Sequence, residues 1–237
     1  MHALLAQSSS SNPPTPAQDQ AQPQQPATDS SQQAPAPTPQ QLSVQARIRA
    51  RREQRRAAAI HDTYSHLFET YTNMGYLRFS PGPHLQRLTY YAWDAGPTRY
   101  YSERLGVTVG GRGYYGTAYV GLNQYNLTRP SVSQYDVMGG PIYRFYLQPR
   151  YAISGRVMGG WALGNFSGDT NGIGAKQLGL WPDGSTYAIS GSIIGDANLT
   201  PSVAFRLAGD YLGTGFGGSM QNSFGFTGGI VYRFGKR

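Results

Sequence analysis

From Glu69 to the C-terminus, apolar and polar side chains alternate with period 2, most fully in the last segment, where Ser223–Phe234 reads SFGFTGGIVYRF. Its even positions are Phe224, Phe226, Gly228, Ile230, Tyr232 and Phe234; its odd positions are Gly225, Thr227, Gly229, Val231 and Arg233. Successive side chains of a strand point to opposite faces, so one face here is apolar and aromatic and the other small, polar or charged. A soluble sandwich would turn the apolar face inward. The opposite face, with its glycines and single arginine, is almost as constrained. Together they suit a small barrel in lipid, apolar outside and tightly filled inside.

The same alternation predicts eight strands: Glu69–Phe79, Leu88–Tyr101, Leu105–Tyr115, Gln134–Leu147, Tyr151–Gly164, Ser185–Asp196, Ser202–Gly213 and Asn222–Phe234. Their lengths are near or above the ~9–11 residues with which a tilted strand crosses a bilayer. The connections alternate. Ser80–Arg87, Gly116–Ser133, Asn165–Gly184 and Thr214–Gln221 are long and rich in Gly, Pro, Asn or Ser, whereas Ser102–Arg104, Gln148–Arg150 and Ala197–Pro201 are short. Outer-membrane barrels show this asymmetry, with short turns in the periplasm and long loops outside. An even strand count puts both barrel ends, and the N-terminal segment, on the periplasmic side.

Assigning faces by parity places Asp94, Arg112, Asp136, Arg144, Arg156, Arg206, Asp210 and Arg233 inside, and Arg78 on the first strand joins them. Trp93, Val107, Val109, Tyr143, Val157, Trp161, Ile193, Leu207 and Phe226 are among those that fall outside. An arginine or lysine facing lipid at mid-depth costs ~2–4 kcal/mol. Inside, it can pair with a carboxylate, and eight strands leave a lumen just wide enough for side chains. These ions read as structural filling.

Composition sharpens this picture. Gly 31, Tyr 18 and an aromatic share of 13% fit a barrel with aromatic belts and glycines that relieve crowding. No apolar run approaches the ~20 residues of a membrane-spanning helix. The absence of cysteine excludes a disulfide frame, a thiol nucleophile and an iron–sulfur cluster. Residues 1–41 are dominated by Pro, Gln, Ala, Ser and Thr and are expected to be a disordered tail. MHALLAQ resembles the end of a signal peptide whose charged start and apolar core are missing. Residues 42–67 predict a basic helix, and 69–237 the barrel. Between Arg47 and Arg56 the helix carries Arg47, Arg49, Arg51, Arg52, Arg55 and Arg56 against one acid, Glu53, in a chain of net charge +8. In the periplasm this helix would meet anionic headgroups, the cell-wall polymer or a protein partner, not nucleic acid, unless it is simply a solvated linker.

Candidate chemistry is sparse. The histidines are His2, His61, His66 and His84; only His84, near Ser80 in the first long loop, resembles a rim-located catalytic pair. Gly168–Gly174 lacks the spacing and terminal Glu of a calcium loop. The runs VGGRG and MGGP do not introduce helices, so they are not phosphate cradles. No catalytic, cofactor or metal residue is predicted.

Asp210–Gly235, DYLGTGFGGSMQNSFGFTGGIVYRFG, resembles the last two strands of small OmpA-like outer-membrane barrel proteins, in particular those of acidobacterial envelopes. NMGYLRFSPG, RGYYGTAYVG and GGPIYRFY agree, so the resemblance runs from about Thr70 to the end. It carries over no catalytic residues. It implies recognition of the last strand by the barrel-assembly machinery through Tyr232 and Phe234, although Gly235, Lys236 and Arg237 follow the terminal aromatic. The expectation is an all-β protein: an eight-stranded antiparallel transmembrane barrel behind a disordered tail and a basic helix. It would lie among membrane lipid and lipopolysaccharide in a bacterial outer membrane, in a structural or interaction role. The rivals are a small gated channel, a soluble calyx for a hydrophobic ligand and a lipid-modifying enzyme.

Overall fold

Alternation builds a closed antiparallel barrel in which every strand pairs with its chain neighbours and the first pairs with the last. The structure, a computed structural model, describes residues 39–236; the predicted tail lies outside them, apart from its last three residues, which belong to the helix. The elements are α1 Pro39–Tyr64, β1 His66–Phe79, β2 Leu88–Tyr100, β3 Leu105–Thr117, β4 Ser131–Leu147, β5 Tyr151–Asn165, β6 Gly184–Asn198, β7 Val203–Thr214 and β8 Gln221–Lys236. From Gln45 onward the chain forms one unit.

All eight expected strands are present, with longer hairpins at the loop end. Tyr115–Thr117 of β3 pair with Ser131–Ser133 of β4, so that connection shrinks to residues 118–130. At the other end, His66 already pairs with Lys236 of β8. The ladder therefore takes residues 66 and 67 from the expected helix, and α1 stops at Tyr64.

The outer surface has three zones. Val107, Val109, Val137, Val157, Ile193, Leu207 and Ile230 are exposed around the middle. Phe68, Tyr143, Tyr151, Tyr232 and Phe234 ring the turn end, and Tyr91, Tyr115, Tyr135, Tyr187 and Phe224 the loop end. An apolar band between aromatic girdles is the surface that a bilayer requires. Water would not stabilise it, and a calyx, which needs its aromatic face inward, is overturned by this orientation. The seam between first and last strands is closed by aromatics, with Phe68 stacked on Phe234 at 5.7 Å and Phe234 on Tyr232 at 6.0 Å. A β-bulge between Arg144 and Tyr146 leaves both Phe145 and Tyr146 on the outer surface.

Two glycines make room for specific rings. On the outside, a Cβ at Gly113 would collide with the Trp93 indole lying across it. On the inside, a Cβ at Gly110 would lie 2.5 Å from the Tyr71 hydroxyl. Tyr71 reaches into the lumen because β3 has no side chain there.

Candidate functional site

The inward positions of all eight strands converge on the lumen, where among the described residues five arginines and five carboxylates are buried. They form two layers. In the layer nearer the turns, Glu69 of β1 receives Arg206 at 2.6 Å, Arg144 at 2.7 Å and Arg233 at 3.2 Å. Asp196 of β6 accepts from Arg206 through both oxygens, at 2.7 and 2.9 Å, and lies 3.5 Å from Arg233. Asn198 takes a further Arg233 proton at 2.8 Å.

In the second layer, Asp94 faces Arg156 at 2.9 Å and Arg112 at 3.4 Å. Asp210 is 3.5 Å from Arg156 and 3.8 Å from Arg112, and also accepts from Ser192 at 2.5 Å and Thr227 at 2.8 Å. Tyr71 separates the layers, its ring centroid 5.2 Å from the Arg156 guanidinium and 5.5 Å from that of Arg206. Charges inside such a lumen are tolerable only when paired and hydrogen-bonded.

Both ends are closed. At the turn end, Tyr64, the last residue of α1, inserts its ring against Arg144 and Arg233, 5.0 and 5.2 Å away. Its hydroxyl donates to the Gln148 carbonyl at 2.9 Å and accepts from Asn198 at 2.6 Å. Burial holds the phenol above its ordinary pKa, so it remains a neutral donor. Arg144 is also stacked on Tyr100, 3.6 Å from the ring centroid. At the loop end, Phe79, Tyr90, Tyr114, Phe166 and Phe216 pack with Leu178, Leu180 and Trp181 from the loops. Trp181 ties its loop to the first one by donating through its indole N–H to the Ser80 carbonyl at 2.7 Å.

Asp94, Arg112, Asp136, Arg144, Arg156, Arg206, Asp210 and Arg233 all lie in the lumen. Asp136 stands apart from the two layers. Gln134 donates to one of its oxygens at 2.8 Å, and the other has no hydrogen-bond partner.

Arg78 is a correction. It is exposed on the outer surface, where it donates to Thr89 at 2.9 Å. The inward set of β1 is Glu69, Tyr71, Asn73, Leu77 and Phe79. Leu77 and Phe79 enter the apolar plug, so β1 carries apolar residues on both faces and parity reads ambiguously. Arg78 sits at the loop-end rim, where water can solvate it.

Glu69 and Asp196 were missed although they are the hubs of the first layer. Each stood at a predicted strand boundary, where a charged residue reads as a terminus. Parity carried to the ends of those strands finds them, because Glu69 shares its face with Tyr71 and Asp196 with Ser192.

In α1, Arg56 donates to Gln148 at 2.6 Å, while Arg47, Arg49, Arg51, Arg52 and Arg55 are exposed. His61 contacts Glu103 at 2.8 Å. His84 is exposed, and the Ser80 hydroxyl donates within its own loop to the Gly82 carbonyl at 3.2 Å. Among the described residues no group of three or more His, Asp or Glu side chains is arranged to hold a metal ion.

No protein-family model and no curated protein matches the chain. Solved structures of small outer-membrane barrels do. Neisserial surface protein A is 14% identical over 70% of this chain and 97% of its own, at a TM-score of 0.50. OprG from Pseudomonas aeruginosa is 11% identical over 73% and 99%, at 0.49. Ail of Yersinia pestis, solved with the heparin analogue sucrose octasulfate, is 14% identical over 70% and 99%, at 0.43. The first of these shows that the eight-stranded barrel here has the fold of small outer-membrane proteins.

Proposed function

We propose that this chain is an OmpA-like outer-membrane barrel, of the acidobacterial type, whose role is structural and interactive and is exerted at its two ends, not through its middle. The observation that carries the reading is the filled lumen. Between Tyr64 and Trp181 lie two ionic layers and an apolar plug. Opening a path would strand buried charges, at about 3–5 kcal/mol for each pair broken.

In this reading the loops 80–87, 118–130, 166–183 and 215–220 face the cell exterior and make surface contacts, while the closed barrel supports the envelope. Helix α1 faces the periplasm. Among its described side chains the exposed large apolar residues are Val44 and Ile48, too few for the apolar stripe of a helix that lies in a membrane surface. Its arginines suit instead an anionic partner away from the bilayer, the cell-wall polymer or an acidic protein. Tyr232 and Phe234, exposed on the last strand, suit recognition by the barrel-assembly machinery.

Planar-bilayer recording tests the lumen: the full chain is expected to give no discrete conductance steps. Steps that change when Arg112 or Arg206 becomes Gln would establish a gated channel instead. Cosedimentation with purified cell-wall sacculi tests the helix. The R47Q/R49Q/R51Q/R52Q/R55Q variant should lose most retention while keeping the heat-modifiable gel mobility of a folded barrel. Equal retention would remove the anchoring role.

A further inference from the structure

Outside the lumen, at the loop end, the surface changes chemistry along β2 to β5. A groove of about 620 Å³ opens sideways there, lined by the hydroxyls of Thr89, Thr117, Ser131 and Ser133 and the rings of Tyr91 and Tyr115. Thr117 also lines a second hollow of about 600 Å³, whose other walls are Gln86, Tyr119 and Arg129. Arg78, bound to Thr89, stands at the opposite edge. Neither lining contains a carboxylate, and among the described residues neither arginine is ion-paired.

These outward positions lie just beyond the apolar band, where hydrocarbon gives way to headgroups. Serines and threonines there have lost any reason to face lipid tails, but they can hydrogen-bond a polar headgroup. Tyrosine rings offer flat apolar faces to sugar C–H groups. Arginine forks match phosphate oxygens in a bidentate way that lysine cannot. A soluble ligand would approach the loop tips, whereas this groove faces the edge of the bilayer.

We propose that the groove is a binding site for the phosphorylated, sugar-bearing headgroup of a glycolipid in the leaflet around the loop end. Arg78 and Arg129 hold phosphate, and the Ser, Thr and Tyr side chains between them hold the sugar. The site rests on the barrel's membrane placement and is independent of what α1 binds.

The full chain, reconstituted in phosphatidylcholine nanodiscs doped with bisphosphorylated lipid A, tests this by native mass spectrometry of the released protein. Lipid A should be retained in preference to phosphatidylglycerol. Retention should fall by about tenfold or more in R78Q/R129Q, since each substitution removes charge-assisted hydrogen bonds. Ser133→Leu, which fills the groove and leaves every charge in place, should also lower it. Heat-modifiable mobility confirms that each variant is folded. Unchanged retention in either variant, or equal retention of phosphatidylglycerol, would overturn the site. Equally tight binding of glucose 1,6-bisphosphate to the detergent-solubilised protein would overturn its assignment to a lipid.

Discussion

The two halves of the lumen are filled by opposite chemistries. The turn-end half is ionic and comes almost wholly from strand residues, with Glu69 touching arginines from three other strands. The loop-end half is aromatic and aliphatic, and much of it, including Phe166, Leu178, Trp181 and Phe216, comes from loops. Strands supply fixed positions, so they can hold guanidinium–carboxylate geometry, which fails when misplaced by an ångström. Loops supply adaptable positions, and apolar packing tolerates that. The ionic half should therefore respond to single substitutions as one unit, and the apolar half locally.

The strongest way to break this contrast is Glu69→Gln, which leaves Arg144, Arg206 and Arg233 facing one another with a single remaining carboxylate, Asp196. We expect a loss of about 3–5 kcal/mol in global stability, read from urea unfolding in lipid vesicles. Next is Phe166→Ala. A buried phenylalanine truncated in a core costs about 3–5 kcal/mol, but here the loss should go into local opening of residues 166–183. Limited proteolysis of that loop should accelerate more than about tenfold, with a smaller shift of the urea midpoint than Glu69→Gln gives. If both variants unfold the barrel equally, the halves are not distinct.

Tyr64→Phe removes one donor and one acceptor at the turn-end mouth and keeps the ring against Arg144. About 1 kcal/mol should be lost, visible as a small fall in the unfolding midpoint. Asp136→Asn sharpens the contrast from the other side. This carboxylate belongs to neither layer, so an amide of the same shape should change stability by less than about 1 kcal/mol, in either direction. A loss as large as that of Glu69→Gln would mean that Asp136 belongs to the ionic network after all.

The contrast also explains what the sequence made legible. Strand residues obey period 2, so Arg112, Arg156 and Arg206 could be placed inside from their spacing to Val109, Val157 and Leu207. Arg78 was misplaced where β1 enters the plug and both its faces become apolar. Glu69 and Asp196 were overlooked because a charge at a strand end looks like a boundary. The plug itself has no sequence signature. Phe166, Leu178, Leu180, Trp181 and Phe216 follow no period, and only the approach of separate loops turns them into one cluster. The groove between Arg78 and Arg129 is hidden for a related reason: those residues are 51 positions apart, and only the pairing of β1 to β4 sets the side chains between them in one row.

Glu69 has one more consequence, for the way the barrel comes together. Its partners Arg144, Arg206 and Arg233 are 75, 137 and 164 residues away. A sheet growing from β1 therefore carries an uncompensated carboxylate until β4 and then β7 and β8 arrive, the last two being the strands that close the ring. Contacts this non-local make for late, concerted assembly. Arg144 can neutralise the first strand once β4 is in place, but the full set of Glu69 partners is assembled only as the last strand joins the first, so completing the ionic layer and closing the ring become a single event.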